Sequence, residues 1–225
     1  MSTVERSAGE RLVQDAARLG VPLGEADARR LLALIGELER WNRRYNLTGI
    51  RAPEAMVTRH LLDSLAIHPD LEGSRVADVG TGAGFPGLPL AVCNPGRHFT
   101  LIDSTAKKIR FVAHAADQLG LTNVTAHQGR VEQMRPGEAF DTVVARAFAP
   151  LPKLLEQVRG LCDARTRVLA MKGHWPAKEL EELPTAWRLA GSRELEVPRL
   201  EEARCVLVLS LRAEAAGRAD RPSAV

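Results

Sequence analysis

Cysteine is scarce and scattered. Cys93, Cys162 and Cys205 are far apart and include no Cys-x-x-Cys pair, so neither a disulfide framework nor a thiolate zinc site is indicated, and all three are expected to stay reduced. The six histidines, His60, His68, His98, His114, His127 and His174, form no metal-ligand spacing, and no metal is expected. Aromatic residues make up only 4% of the chain, too few for extensive stacking on single-stranded nucleic acid. No apolar run approaches the roughly 18 residues of a membrane span. The opening Met-Ser-Thr-Val-Glu-Arg also lacks an apolar signal core, so a cytoplasmic protein without a membrane partner is expected. A strong excess of one charge is missing too: 31 basic residues face 28 acidic ones, for a net charge of +3. That balance is compatible with a nucleic-acid partner without demonstrating one.

What is present is an ordinary globular composition, 45% hydrophobic and 26% charged over 225 residues, enough for one full domain and a modest extra segment. Helical spacing of Leu31, Leu34, Ile35, Leu38, Trp41 and Tyr45 predicts an amphipathic helix over Glu25 to Tyr45. An earlier helix is expected over Val4 to Leu19, stopped by Gly20, and a third from Pro53 to about Ile67. Residues 1–70 thus read as a helical region packed on the core. From 71 to 211 strands alternate with helices: Val76 to Val79, His98 to Asp103, Val124 to His127, Asp141 to Ala145 and Arg167 to Met171. This alternation predicts a parallel sheet covered on both faces. Trp187 to Val197 and Arg204 to Leu211 are joined too closely for a helical crossover, which predicts an antiparallel edge. The fold class is therefore α/β, a Rossmann-like, mostly parallel seven-stranded sheet. Residues 212–225 lack apolar periodicity and read as a loose tail.

Between Arg75 and Pro89 a short apolar strand opens into Asp78-Val79-Gly80-Thr81-Gly82-Ala83-Gly84-Phe85-Pro86-Gly87. Closely spaced glycines followed by proline suit a tight strand-to-helix turn, with Pro86 at the first helical position. Backbone N–H groups there can approach a nucleotide-like ligand. Gly82-x-Gly84-x-x-Gly87 satisfies the dinucleotide pattern, and Asp103 lies near the spacing of a ribose-binding acid. Asp78 ahead of the loop and the antiparallel edge favour S-adenosylmethionine, with S-adenosylhomocysteine as product, over a nicotinamide. Asp103 would accept from both ribose hydroxyls. Asp78 has two readings, holding the loop or receiving the methionine ammonium.

The flanking motifs are Trp41-Asn42-x-x-Tyr45-Asn46-Leu47-Thr48, His60-x-x-Asp63-Ser64-Leu65, Leu101-Ile102-Asp103-Ser104, Phe140-Asp141 with Arg146-Ala147, and Lys172-Gly173. With the glycine loop, and in this order, they closely resemble the ribosomal RNA small subunit methyltransferase G family, also called glucose-inhibited division protein B. The match covers about residues 25–211. The resemblance implies methylation of N7 of a guanine in the 530 loop of bacterial 16S rRNA, on the RNA itself or on the 30S subunit or its precursor, by a protein expected to be monomeric. It implies a cofactor site formed by Gly80, Gly82, Phe85, Asp103, Val131, Glu132 and Arg146.

Four residue readings stay open at this level. Glu132 either accepts from the adenine amino group or is a solvated carboxylate at a helix start. Arg146 cannot read guanine through both O6 and N7, because N7 must present its lone pair; it contacts the cofactor carboxylate, O6 alone or a phosphate, or it makes a structural salt bridge. Lys107 and Lys108 oppose the dipole of the helix after Asp103, and with Arg110, Arg130 and Lys172 they could form a phosphate-binding rim; Lys107 and Lys108 read equally as a solvated basic face, whereas Arg130 and Lys172, which match family motifs, are expected to bind RNA. His60 and Asp63, one turn apart, read as packing residues or a pair. Trp41 and Tyr45 read as packing anchors. No general base is expected, because guanine N7 has no proton to lose, and catalysis should rest on positioning. The competing class is a methyltransferase for another RNA or a small molecule, and after it a nucleotide-binding module or dehydrogenase.

Overall fold

The computed structural model describes residues 3–212, with side chains from residue 8 onward. Residues 213–225, nearly all of the expected tail, lie outside the described residues; Arg212 itself is tied down by bonds to the Ala186 and Trp187 carbonyls. Helix α1 spans Thr3–Arg18 and α2 spans Glu25–Tyr45. On α2 the residues Leu31, Leu34, Ile35 and Leu38 are buried, as their spacing requires for one face against a core. The helix ends at Asn46, which takes a left-handed conformation (φ 47°) while its N–H bonds to the Asn42 carbonyl.

Asn42 explains the polar motif that follows. Its Oδ1 accepts from the backbone N–H groups of Leu47 (2.7 Å) and Thr48 (2.9 Å), and its Nδ2 donates to the Thr48 carbonyl (2.9 Å). One buried amide thereby satisfies three backbone groups in a chain that has left its helix.

The expected single helix from Pro53 is instead three pieces: α3 (Pro53–Met56), a π-helical turn (Val57–Leu62) and α4 (Asp63–Leu65). Periodicity alone does not register the wider turn. It carries His60 and leads into Asp63, both buried, and π turns of this kind recur at functional sites.

The remaining elements are β1 (Arg75–Val79), α5 (Gly87–Cys93), β2 (His98–Asp103), α6 (Ala106–Gln118), β3 (Val124–Gln128), β4 (Thr142–Arg146), α7 (Leu151–Val158), β5 (Arg167–Lys172), α8 (Ala177–Glu181), β6 (Trp187–Glu194) and β7 (Cys205–Leu211). They build one seven-stranded sheet in the order β3-β2-β1-β4-β5-β7-β6. The first five are parallel, whereas β7 runs antiparallel between β5 and β6. Every residue of β7 is buried and most of β6 is not, so β6 is the edge.

One face of the sheet shares a core with α1, α2, α5 and α6, through residues such as Leu34, Leu38, Val76, Leu88, Phe99 and Phe111. The other face packs on α7 through Val79, Val143, Leu151, Leu155 and Val168. Trp41 sits edge-on to Phe111 (5.5 Å between centroids) and beside His114 (5.0 Å), fastening α2 to α6; Tyr45 stays partly exposed. Because the five parallel strands share a direction, the segments after β1, β2, β3, β4 and β5 gather at one edge, where open α/β sheets bind ligands.

Replacing Asn42 with Ala strands the Leu47 and Thr48 amides in a buried turn. The expected loss is about 2–4 kcal/mol of unfolding free energy, read by urea denaturation.

Candidate functional site in two joined clefts

At the end of β1 the chain leaves the sheet through three glycines with positive φ, at 67° for Gly80, 63° for Gly82 and 85° for Gly84. A Cβ on Gly80 would fall 2.1 Å from the ring of Phe148, so only glycine fits there. Asp78 holds this loop closed. It is fully buried, and its Oδ2 accepts from the Thr81 hydroxyl (2.6 Å) and from the Gly87 N–H at the start of α5 (2.8 Å). Pro86 precedes the first helical residue and caps it, one place earlier than expected, because it is the Gly87 N–H that Asp78 draws in. Burial pushes the Asp78 carboxyl up to about 6, against the two hydrogen bonds.

Asp103, the last residue of β2, accepts from the Gly82 N–H (3.1 Å) and the Thr105 N–H (2.8 Å), and Lys108 reaches it at 3.4 Å. The loop after β1 is thus tied to the tip of β2. Asp103 lines a cleft of about 450 Å³ together with Gly80, Lys108, Arg130, Val131 and Glu132. Val131 is buried, whereas Glu132 is exposed between Arg130 (3.7 Å) and the Gln157 amide (3.5 Å).

A second cleft of about 500 Å³ opens on the other side of Gly80 and Ala147, which line both. The π turn and the segment after α2 supply its far wall. Asp63 accepts from Arg146 at Oδ2 and from Arg204 at Oδ1, each at 3.0 Å. Arg146 also donates to the Arg59 carbonyl (2.9 Å) and faces Nδ1 of His60 (3.4 Å). His60 lies over Phe85 with ring centroids 4.7 Å apart and planes inclined by 18°, and the Arg146 guanidinium sits 5.7 Å from the Phe85 centroid. Burial, with Arg146 beside it, lowers the His60 pKa to about 4, so the ring is neutral at pH 7.

The residues expected from the sequence divide between these clefts. Gly80, Asp103, Arg130, Val131, Glu132 and Lys108 meet in the first; Gly80, Gly82, Phe85, Arg146 and Lys172 meet in the second. Lys107 lines neither cleft. Its ammonium donates to the Tyr45 carbonyl (2.9 Å) at the end of α2, where a cation satisfies an orphan helix carbonyl. Lys172 is largely buried, pairing with Glu179 (2.8 Å) and reaching the Ala149 carbonyl (3.3 Å). Four of the five cations read as one rim are therefore distributed over two clefts and a helix cap, and Arg110, exposed on α6, lines neither cleft. His60 and Asp63 do not bond each other: Asp63 bonds arginines, and His60 contacts the Thr48 hydroxyl (3.0 Å).

The sequence profile for rRNA small subunit methyltransferase G matches residues 27–208. The chain belongs to the rRNA small subunit methyltransferase G family. It is 45% identical to the ribosomal RNA small subunit methyltransferase G of Nitrosococcus oceani, over 90% of this chain and 95% of that protein. To its counterpart in Alkalilimnicola ehrlichii it is 50% identical, over 80% and 82% respectively. Among solved structures, a SAM-dependent methyltransferase from Aquifex aeolicus superposes with a TM-score of 0.54 at 18% identity, over 80% of this chain and 98% of that one. A SAM-dependent methyltransferase from Geobacter sulfurreducens, in complex with S-adenosyl-L-homocysteine, gives 0.52 at 13% identity, over 79% and 98%. At such identities the structures speak to the fold alone, and the fold agrees.

Sequence reasoning did not single out Thr48, Arg59 and Arg204, which line the second cleft together with His60 and Asp63, read beforehand as packing residues or a pair. The partial signal was Trp-Asn-x-x-Tyr-Asn-Leu-Thr, whose last residue lines the second cleft. Arg204 starts no motif and reaches Asp63 only because β7 inserts beside β5. Among the described residues no group of three or more His, Cys, Asp or Glu is placed to hold a metal, and no helix is long and apolar enough to cross a membrane.

The depressed His60 pKa has a sign that can be measured. Between the ordinary 6.5 and about 4 the unfolded chain takes up a proton at this ring that the folded chain refuses, so His60 costs stability as pH falls through that window. Relative to His60→Gln, wild-type protein should lose up to about 1.4 kcal/mol per pH unit there, read by urea unfolding of both proteins at a series of pH values. Parallel curves would remove the neutral, buried assignment.

Proposed function

We infer that this chain transfers a methyl group from S-adenosylmethionine to N7 of a guanine in the 530 loop of small-subunit rRNA. The observation that carries this reading is the junction at Gly80 and Ala147 of two clefts with different chemistry, in a member of this family. The first suits a nucleoside. Asp103 at the tip of β2 keeps lone pairs for vicinal ribose hydroxyls beyond the amides it already accepts, Val131 offers an apolar surface to adenine, and Glu132 an acceptor for its amino group. Positive-φ glycines leave the Gly80 and Gly82 backbone bare of side chains where a ligand must come close. These residues fit the cofactor, which when bound supplies an electrophilic methyl on sulfonium sulfur.

The chain's own part is positioning. Guanine N7 attacks with a free lone pair, so no residue need accept a proton first. Phe85, under His60 and beside Arg146, forms a rigid wall that keeps water from the join between the clefts. Arg146 is held by Asp63 and the Arg59 carbonyl, which turns its charge toward the wall and leaves N7 unobstructed. Arg130, with its side chain well exposed, is the cation best placed to meet phosphate, joined by Lys108 at the same cleft; Lys172 serves the second. Lys107 acts in the fold.

Enzyme incubated with small-subunit particles or 16S rRNA and methyl-labelled cofactor should yield 7-methylguanosine on nucleoside mass spectrometry. Its absence from every form of the RNA ends the reading. A second expectation concerns Asp103→Asn, which should bind S-adenosylhomocysteine at least about tenfold more weakly by calorimetry, because hydrogen bonds to a charged acceptor contribute about 1.5–3 kcal/mol each. NAD should protect neither protein against thermal unfolding.

A further inference from the structure

Among the described residues, the largest apolar side chain left in water stands beside the second cleft. Of the three tryptophans, Trp187 is buried and Trp41 packs on α6, whereas Trp175 is 51% exposed. Among the described residues its indole N–H has no acceptor and its ring no aromatic or cationic partner. A lone exposed apolar residue on an ordinary surface needs no explanation. This one follows β5, at the edge of the sheet where both clefts open. Two peptide units separate it from Gly173, which lines the second cleft, so the two Cα atoms lie within about 7.6 Å of each other.

The ring stands on a fixed base. Before it, Lys172 is bound to Glu179 and to the Ala149 carbonyl; after it, the buried Pro176 opens α8 and its carbonyl accepts from the Leu180 N–H (3.1 Å). Little ordering is left for a ligand to impose. The charge nearby has one sign: from Lys172 to Lys178 the chain reads Lys-Gly-His-Trp-Pro-Ala-Lys, without an acid. Glu179, which follows, is already engaged by Lys172 and the Leu151 N–H. Lys178 is exposed and has no ion-pair partner among the described residues. A bare π face flanked by a free cation suits single-stranded nucleic acid, whose bases stack and whose phosphates pair with the charge. A guanine that enters the join of the clefts leaves its own stack, and its neighbour then lacks the face that covered it.

We propose that Trp175 stacks on an unpaired base beside the target guanine, with Lys178 meeting a backbone phosphate, and so holds the RNA strand at the mouth of the second cleft. Trp175 touches no reacting atom; it binds and positions. One such stack is compatible with an aromatic content too low for a run of them. The proposal rests on the guanine-N7 reading above, and the test separates the two. Full-length wild type, Trp175→Leu and Trp175→Phe are assayed on small-subunit particles and titrated with a single-stranded oligoribonucleotide of the target loop.

Stacking on a base quenches indole emission, so the oligonucleotide should quench wild type by a component that Trp175→Phe lacks. Trp175→Leu should raise KM for the particle by about fivefold to a hundredfold at unchanged kcat. Trp175→Phe, which keeps a π face, should recover most of that loss. Affinity for S-adenosylhomocysteine and the urea midpoint should stay unchanged in both variants. Abasic nucleotides placed one at a time through the loop should reveal one position, next to the target, that weakens wild type and leaves Trp175→Leu indifferent. Equal KM in all three proteins, or a Leu variant as good as Phe, overturns the proposal. A KM effect that no abasic position shares assigns the ring to a protein of the particle and overturns it too. If quenching and the abasic coupling appear while no 7-methylguanosine forms, the RNA stack stands and the guanine-N7 reading fails.

Discussion

Asp78 is the constraint on which the site depends. A carboxylate with no exposed surface, it draws in the Thr81 hydroxyl at one end of the glycine loop and the Gly87 amide at the other, so the chain leaves β1 and enters α5 in one fixed path. Gly87 has no room for a side chain in that arrangement, because a Cβ would stand 2.7 Å from Asp78 Oδ2. Asp103 then pins the middle of the loop through the Gly82 amide. Two acids on neighbouring strands define the backbone between them, and both clefts share their floor with it.

A second buried acid organises the opposite wall. Asp63 accepts from Arg146 at the end of β4 and from Arg204 just before β7, joining two sheet strands to the helical segment that carries His60. Removing one arginine would leave a buried charge only half compensated, which is costly in a dry setting. Asn42 performs the same service without charge, fastening the turn after α2 so that Thr48 stands against His60. The polar residues of the flanking motifs thus form one chain of contacts from the N-terminal helices to the glycine loop, its last link the stacking of His60 on Phe85.

Much of this was legible beforehand. The α2 helix, the parallel strands, the antiparallel edge and the glycine loop follow from apolar spacing and from residues with narrow backbone preferences, and each was found within a residue or two, except that β6 stops at Glu194, three residues short of the expected Val197. The π turn was not, since widening one helical turn leaves the apolar pattern nearly intact. Nor could spacing say which acid each cation would meet. Lys107 and Lys108 are adjacent in sequence, yet one caps α2 and the other reaches Asp103.

The sequence by itself determined the order of elements, the positive-φ loop and the family, because these rest on local conformational preference and on motifs that are contiguous or nearly so. Tertiary structure alone decided that His60 is neutral, that Asp63 holds two arginines from distant strands, and that Thr48 stands against His60. Those outcomes depend on burial and on partners up to 141 residues apart. Protonation and hydrogen-bond direction are properties of an enclosed space, and that space exists only once the sheet has brought its strand ends together.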